Sequence, residues 1–270
     1  MPAPLLLDYH IHSAFSFDGQ ATIHAICLEA IVQGIPEIGF SEHFDLHPLA
    51  PDVGFFQPEA WWQEIEKVRR EFAGKLIVRA GIELGEPHRF PDQIRALLAS
   101  LPFDYAIGSL HYVGEKYMFD KRYLEETPAE EILEAYFTEL EALTRAPQFD
   151  ILGHLDLPVR NTPHLWQTYD PARYEAQIRA VLQNCIHAGL ALDVNLAGMR
   201  KPYHNINPDP RILRWYAEMG GSRVTLGSDA HSLDQVGGFL PYGLQALQAA
   251  GLNSLTRFEL RQAQRLPQEA

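Results

Sequence analysis

Twelve histidines against two cysteines give this 270-residue chain an excess of the side chain that binds metals and moves protons near neutral pH. Six of them fall, with carboxylates, at the ends of short apolar runs. The run at 5–9 leads into His10 and His12, that at 37–40 into Glu42 and His43, and that at 76–82 into Glu83. The runs at 105–108, 151–153, 191–194 and 223–226 lead into His111, into His154, into Asn195, and into Asp229 with His231. His10-x-His12 and Asp229-x-His231 each put two donors on one face of an extended chain, because strand side chains alternate with period two. With Asp18 of FSFDG, the candidate ligands are His10, His12, Asp18, His43, Glu83, His111, His154, Asp229 and His231. Nine donors exceed the needs of one tetrahedral ion and suffice for two or three that keep positions open for water or substrate, with Glu83 able to bridge two. Nitrogen and oxygen donors without thiolate suit zinc, manganese or iron.

Taken singly, His154 or His111 reads as a core histidine, Glu83 as an ion-pair partner and Asp18 as a turn residue beside Gly19. Burying the whole set without counter-ions would cost several kcal/mol per unpaired charge, which favours metal for the set. His24, His47, His88, His164, His187 and His204 lie in helices or loops outside the pattern.

The elements that must position these donors follow from periodicity. Seven β-type runs alternate with helical stretches at 22–33, 58–73, 91–99, 128–144, 171–188, 209–219 and 240–250. Pro58 and the Thr127-Pro128 pair mark helix starts, with acidic residues in the first turn. Such βα alternation predicts an α/β fold with a parallel sheet, and its sevenfold repeat favours a TIM-like barrel over an open sheet. In a parallel barrel the C-terminal strand ends converge on one mouth, so donors scattered over the chain share one pocket. No linker or low-complexity stretch divides residues 1–270, so a single domain is expected. The long segments 46–57 and 113–122 read as functional loops.

Composition narrows the partners. Hydrophobic residues at 46% and charged residues at 21% describe a soluble globular chain. A net charge of −13 argues against a general nucleic-acid binder and against an acidic membrane surface. No window approaches the roughly 18 apolar residues of a membrane span. The apolar residues 5–7 have no basic stretch before them and Asp8 directly after, so no secretory signal is expected. Cys27 and Cys185 sit in apolar helical stretches, which fits buried thiols in a reducing cytoplasm.

HIHS, SEHFD, GIE, GSLHY, GHLDL and GSDAH, in this order from about residue 8 to 237, resemble the motifs of the PHP (polymerase and histidinol phosphatase) superfamily. NLAGMRKP at 195–202, followed by PDPRIL, resembles its histidinol-phosphate phosphatase branch. The resemblance implies a distorted (β/α)7 barrel carrying three metal ions. His10, His12, Glu83 and Asp229 would hold the first, Glu83 with His111 and His154 the second, and Asp18, His43 and His231 the third. Asp18 stands where relatives often carry histidine, so the third site is expected to differ in strength or metal preference.

The implied reaction is hydrolysis of L-histidinol phosphate, a small phosphomonoester of histidine biosynthesis. Clustered divalent ions lower the pKa of water and neutralise phosphoryl oxygens. Arginine pairs with phosphate through its planar fork. Arg160 and Arg200 resemble the phosphate-binding positions of the branch, with Lys201 beside them. Asp229 or His231 could relay a proton to the leaving alkoxide. The cationic end of the substrate would meet Glu42, Asp45 or Tyr117, in or beside the two long loops. A phosphodiesterase acting on oligonucleotides and a non-catalytic metal-binding barrel are the alternatives. The acidic charge argues against the first and the complete ligand set against the second.

Overall fold

The structure is a computed structural model that describes residues 6–267; Leu5, where the first apolar run begins, lies outside them. The seven strands β1 (Leu7–Asp8), β2 (Glu37–Phe44), β3 (Ile77–Gly85), β4 (Tyr105–Ser109), β5 (Ile151–Leu152), β6 (Ala191–Asn195) and β7 (Val224–Gly227) pair in chain order. Every pair is parallel. The ring closes because the chain beyond β1 runs along the chain beyond β7. There the Tyr9 N–H donates to Leu226 O, Asp229 N–H to His10 O and His12 N–H to Ala230 O.

Parallel neighbours require crossovers, and helices supply them. These are α1 (Ile23–Val32), α2 (Pro58–Glu71), α3 (Pro91–Ser100), α4 (Ala129–Arg145), α5 (Glu175–Ala188) and α6 (Pro210–Glu218), while α7 (Leu240–Ala249) follows β7. The expected βα alternation is therefore present in full. Local sequence explains the boundaries. Thr22 caps α1 by accepting from Ala25 N–H, prolines open α2, α3 and α6, and Gly189 ends α5 in the left-handed conformation. The helical stretch expected from 171 starts as a short 3-10 turn, Pro171–Tyr174, before α5. Among the described residues no helix is long and apolar enough to cross a membrane.

The barrel interior is filled rather than hollow. Tyr105 of β4 stacks on Tyr9 at 4.9 Å and its hydroxyl donates to Tyr9 O at 2.8 Å. A Cβ at Gly39 or Gly81 would lie 2.3 or 2.1 Å from Tyr105 side-chain atoms, so the neighbouring strands carry glycine where the ring lies.

Two hairpins depart from the expected alternation. Tyr112–Val113 pairs with Lys116–Tyr117 inside the segment read as a loop at 113–122, around Gly114 at φ 58°. The strands β8 (Ser254–Glu259) and β9 (Gln262–Pro267) form the second, with Leu260 and Arg261 both at positive φ. This hairpin covers the N-terminal end of the barrel. Phe258 is buried there, Arg257 pairs with Glu37, and Arg261 holds Asp150 at 2.8 Å. Glu37 also accepts from Tyr9 Oη and from Arg79 Nε at 2.8 Å.

Replacing Glu37 by alanine removes the carboxylate shared by Arg79, Arg257 and Tyr9 and leaves the buried Arg79 only the exposed Glu259 at 3.3 Å and Asp104 at 4.0 Å, a change that costs about 3 kcal/mol. Urea unfolding of Glu37→Ala is expected to show that loss, while the folded fraction keeps normal turnover because the cluster lies at the end away from the mouth. Unchanged stability would show that the ion cluster does not hold the barrel floor.

Candidate metal centre

All nine candidate ligands meet at the C-terminal mouth, in three overlapping groups. In the first, His10 Nε2 and His12 Nε2 lie 3.4 and 3.5 Å from Glu83 Oε2, and 3.8 and 3.6 Å from Asp229 Oδ1. In the second, the other oxygen of Glu83 lies 3.4 Å from His111 Nε2 and 3.0 Å from His154 Nε2. In the third, Asp18 reaches His43 Nε2 at 3.6 Å and His231 Nε2 at 3.3 Å. His43 Nδ1 lies 3.0 Å from Glu83 Oε2, so Glu83 stands between the groups. Donors on one tetrahedral ion at bond lengths of 2.0–2.1 Å stand about 3.3 Å apart, close to the separations within each group.

A second observation fits metal ions. His10 Nε2, His12 Nε2, Asp18 Oδ1, His43 Nδ1 and Glu83 Oε2 are buried without a hydrogen-bond partner among the described residues, and all point into the cluster. Buried polar atoms are normally satisfied, so orphaned atoms converging on one point mark a place for a cation.

Partners on the far side of the rings fix their tautomers. Asp193 Oδ2 lies 2.9 Å from His10 Nδ1, Asp45 Oδ1 3.0 Å from His111 Nδ1, and Asp229 O 3.0 Å from His231 Nδ1. Each is an acceptor, so each ring carries its proton on Nδ1 and presents the Nε2 lone pair to the cluster. Ser16 does the same for His12. Its hydroxyl donates to Glu42 at 2.6 Å, which leaves it to accept from His12 Nδ1 at 3.2 Å. Asp193 and Ser16 were not singled out by the sequence reading. The signal for Asp193 was its place two residues before Asn195, on the same strand face.

The electrostatics follow from packing opposite charges without water. Burial raises the Glu83 carboxyl, but His10, His43 and His111 outweigh it and hold it well below the ordinary range. Asp229 is likewise held low against burial by His10 and Arg160. His12 is pushed down to about 3 by burial and by His43 and His231, so it is neutral and ready to act as a ligand.

Beside the donors opens a cavity of about 500 Å³, a size suited to a small molecule. Arg160, Arg200, Lys201, Asp45 and Tyr117 line it. Arg160 is held by Asn195 Oδ1 at 2.5 Å and Asp229 Oδ2 at 2.8 Å. Arg200 donates to Ser228 O and Asp229 O, and Lys201 to Asn161 Oδ1 at 2.7 Å.

Glu42 does not line the cavity, contrary to the expectation that it meets substrate. It is fully buried and accepts from Ser13 N at 3.0 Å, Ser13 Oγ at 2.6 Å and Ser16 Oγ. On an extended strand His43 and Asp45 share a face and Glu42 takes the other, so it supports the ligand loop instead. The six remaining histidines are engaged elsewhere, as with His24 and Glu71 or His88 and Glu139.

Seven parallel strands closing on a mouth of histidines and carboxylates define a hydrolase barrel with groups able to hold metal ions. The chain belongs to the PHP domain family, whose profile matches residues 8–197. It is 32% identical over 238 residues to a probable histidinol-phosphatase of Deinococcus radiodurans, covering 86% of this chain and 88% of that one. It is 30% identical over 234 residues to the histidinol-phosphatase of Lactococcus lactis subsp. lactis, covering 83% and 84%. A solved structure of histidinol phosphate phosphatase from Lactococcus lactis, complexed with zinc, L-histidinol and phosphate, superposes with a TM-score of 0.87. That match spans 96% of this chain and 99% of the other at 27% identity.

Proposed function

We propose that this chain is a metal-dependent phosphomonoesterase that hydrolyses L-histidinol phosphate to L-histidinol and phosphate. The observation that carries the reading is the meeting of the donor cluster, seven of whose nine members line one cavity with His10 and His12 buried behind them, with Arg160, Arg200 and Lys201 in the same wall. The relatives named histidinol-phosphatase and the solved relative with histidinol and phosphate support the choice of substrate. Three divalent ions, zinc, manganese or iron, would be held by the three donor groups. They would supply hydroxide near neutral pH and offset phosphoryl charge.

The chain's own residues do the rest. Asp229 and Asn195 hold the Arg160 guanidinium in a fixed plane, and backbone carbonyls do so for Arg200, so both charges are held in place at the cavity wall, with their remaining N–H groups left for phosphate. Asp229 and His231 stand at the wall, where either can pass a proton through water to the leaving oxygen. The whole chain acts as one domain. An acidic total charge of −13 leaves extended nucleic acid a poor substrate, and the free buried thiols of Cys27 and Cys185 fit a cytoplasmic enzyme. Purified protein loaded with zinc or manganese is expected to release phosphate from L-histidinol phosphate in preference to other phosphomonoesters and to a short single strand. No release from that substrate overturns the reading.

Lys201 adds a pH dependence. Burial and Arg160 push its ammonium down to about 8, so it is cationic below that pH and neutral above it. KM is therefore expected to rise by up to about tenfold between about pH 7 and 9 as one charge-assisted contact to phosphate is lost. Lys201→Met should start with the higher KM and lose the rise. A slope in that variant equal to wild type would place the titrating group elsewhere.

A further inference from the structure

The wall of the cavity away from the arginines carries a charge that the reaction described so far does not use. Asp52, in the segment between β2 and α2, lines the cavity at 6% exposure, and its Oδ2 has no hydrogen-bond partner among the described residues. No basic side chain pairs with it there. Its neighbour Asp45 is already committed, with Oδ1 accepting from His111 Nδ1. Burial and the adjacent Asp45 carboxylate push the Asp52 carboxyl up to about 6 and outweigh the opposing pull of His43. A buried carboxylate without a counter-charge is costly to keep, and a bound cation relieves that cost.

Barrel order locates this group relative to the phosphate end. In a closed ring of seven strands, β5 and β6 are each three places from β2, as far as the ring allows. Arg160 follows β5, Arg200 and Lys201 follow β6, and Asp52 follows β2. The cavity is therefore polarised, cationic on one side and anionic on the other, with the metal ligands between. Tyr112, Tyr117 and Phe119, with the first pair stacked at 4.8 Å and the second tilted at 5.2 Å, come from the segment after β4 and add an aromatic surface.

We propose that Asp52 is the specificity-determining counter-ion for the substrate's amino group, so that the enzyme selects phosphomonoesters of 2-amino alcohols. This rests on the histidinol phosphate reading and deepens it. Phosphate lies against the arginines and the ammonium, two carbons from the ester oxygen, against Asp52.

The test compares L-histidinol phosphate with the analogue in which hydrogen replaces the amino group, for wild type and Asp52→Asn. In wild type, KM for the analogue is expected to be at least about tenfold higher. Asp52→Asn should raise KM for L-histidinol phosphate roughly 10- to 100-fold, leave kcat within about twofold, and leave the analogue unaffected. A merely structural role would move both substrates together, so an equal rise on both, or no rise on either, overturns the proposal. Should the variant fail to fold, the wild-type ratio decides, and equal KM values for the two substrates overturn it. Absence of phosphate release by wild type from L-histidinol phosphate strikes at the underlying function instead, and is read separately from the ratio.

Discussion

Glu83→Gln is expected to lose at least one metal ion per chain and roughly 10³-fold in kcat while keeping its fold. Both carboxylate oxygens of Glu83 are engaged, one toward His10, His12 and His43 and the other toward His111, His154 and the Ser109 hydroxyl. Glutamine keeps the shape but turns one oxygen into an N–H donor, which must face ring nitrogens that also need a positive partner. It also removes the one negative charge common to the first two donor groups, so an ion held by either group loses affinity. Elemental analysis of the purified variant, with circular dichroism as the control for folding, checks the result. Full metal stoichiometry in Glu83→Gln would end the assignment of Glu83 as a bridge, whatever the activity.

The barrel and most of its mouth were legible in the sequence because two periodicities coincide there. Apolar runs set the strands, and a polar residue placed directly after a buried strand, repeated strand after strand, has no packing explanation. Single positions were less legible. Glu42 stands next to His43 in SEH, and only strand parity separates a residue that faces the cavity from one that supports it from behind. Asp193 was hidden for a related reason. It touches a ring nitrogen rather than the cluster itself, and its only mark in ALDVN is that it shares a strand face with Asn195. The closing hairpin of β8 and β9 escaped because its two-residue turn is Leu260-Arg261, both at positive φ, where glycine or asparagine is the usual signal. Contacts of the hairpin with Glu37, Asp104 and Asp150 accompany that backbone, and they are long-range facts no local window contains.

Arg160→Ala tests the phosphate end, and two effects must be separated in it. The guanidinium is 4% exposed and bonds both Asn195 and Asp229, so its loss frees a carboxylate that also belongs to the first donor group. If Arg160 served only to hold Asp229, the variant would lose metal and the remaining loaded enzyme would bind phosphate normally. If it receives the phosphate, KM rises with metal content retained. The second outcome is expected, because Asp229 Oδ1, the oxygen facing His10 and His12, is not the one that Arg160 holds. Loss of a charge-assisted pair corresponds to a fall in kcat/KM of roughly 10- to 100-fold, with the inhibition constant of inorganic phosphate weakening in parallel. Arg160→Lys keeps the charge but not the fork that reaches Asn195 and Asp229 together, and its KM should fall between those of wild type and alanine. A phosphate inhibition constant unchanged in Arg160→Ala would remove Arg160 from the binding of the substrate's anionic end and leave that task to Arg200 and Lys201.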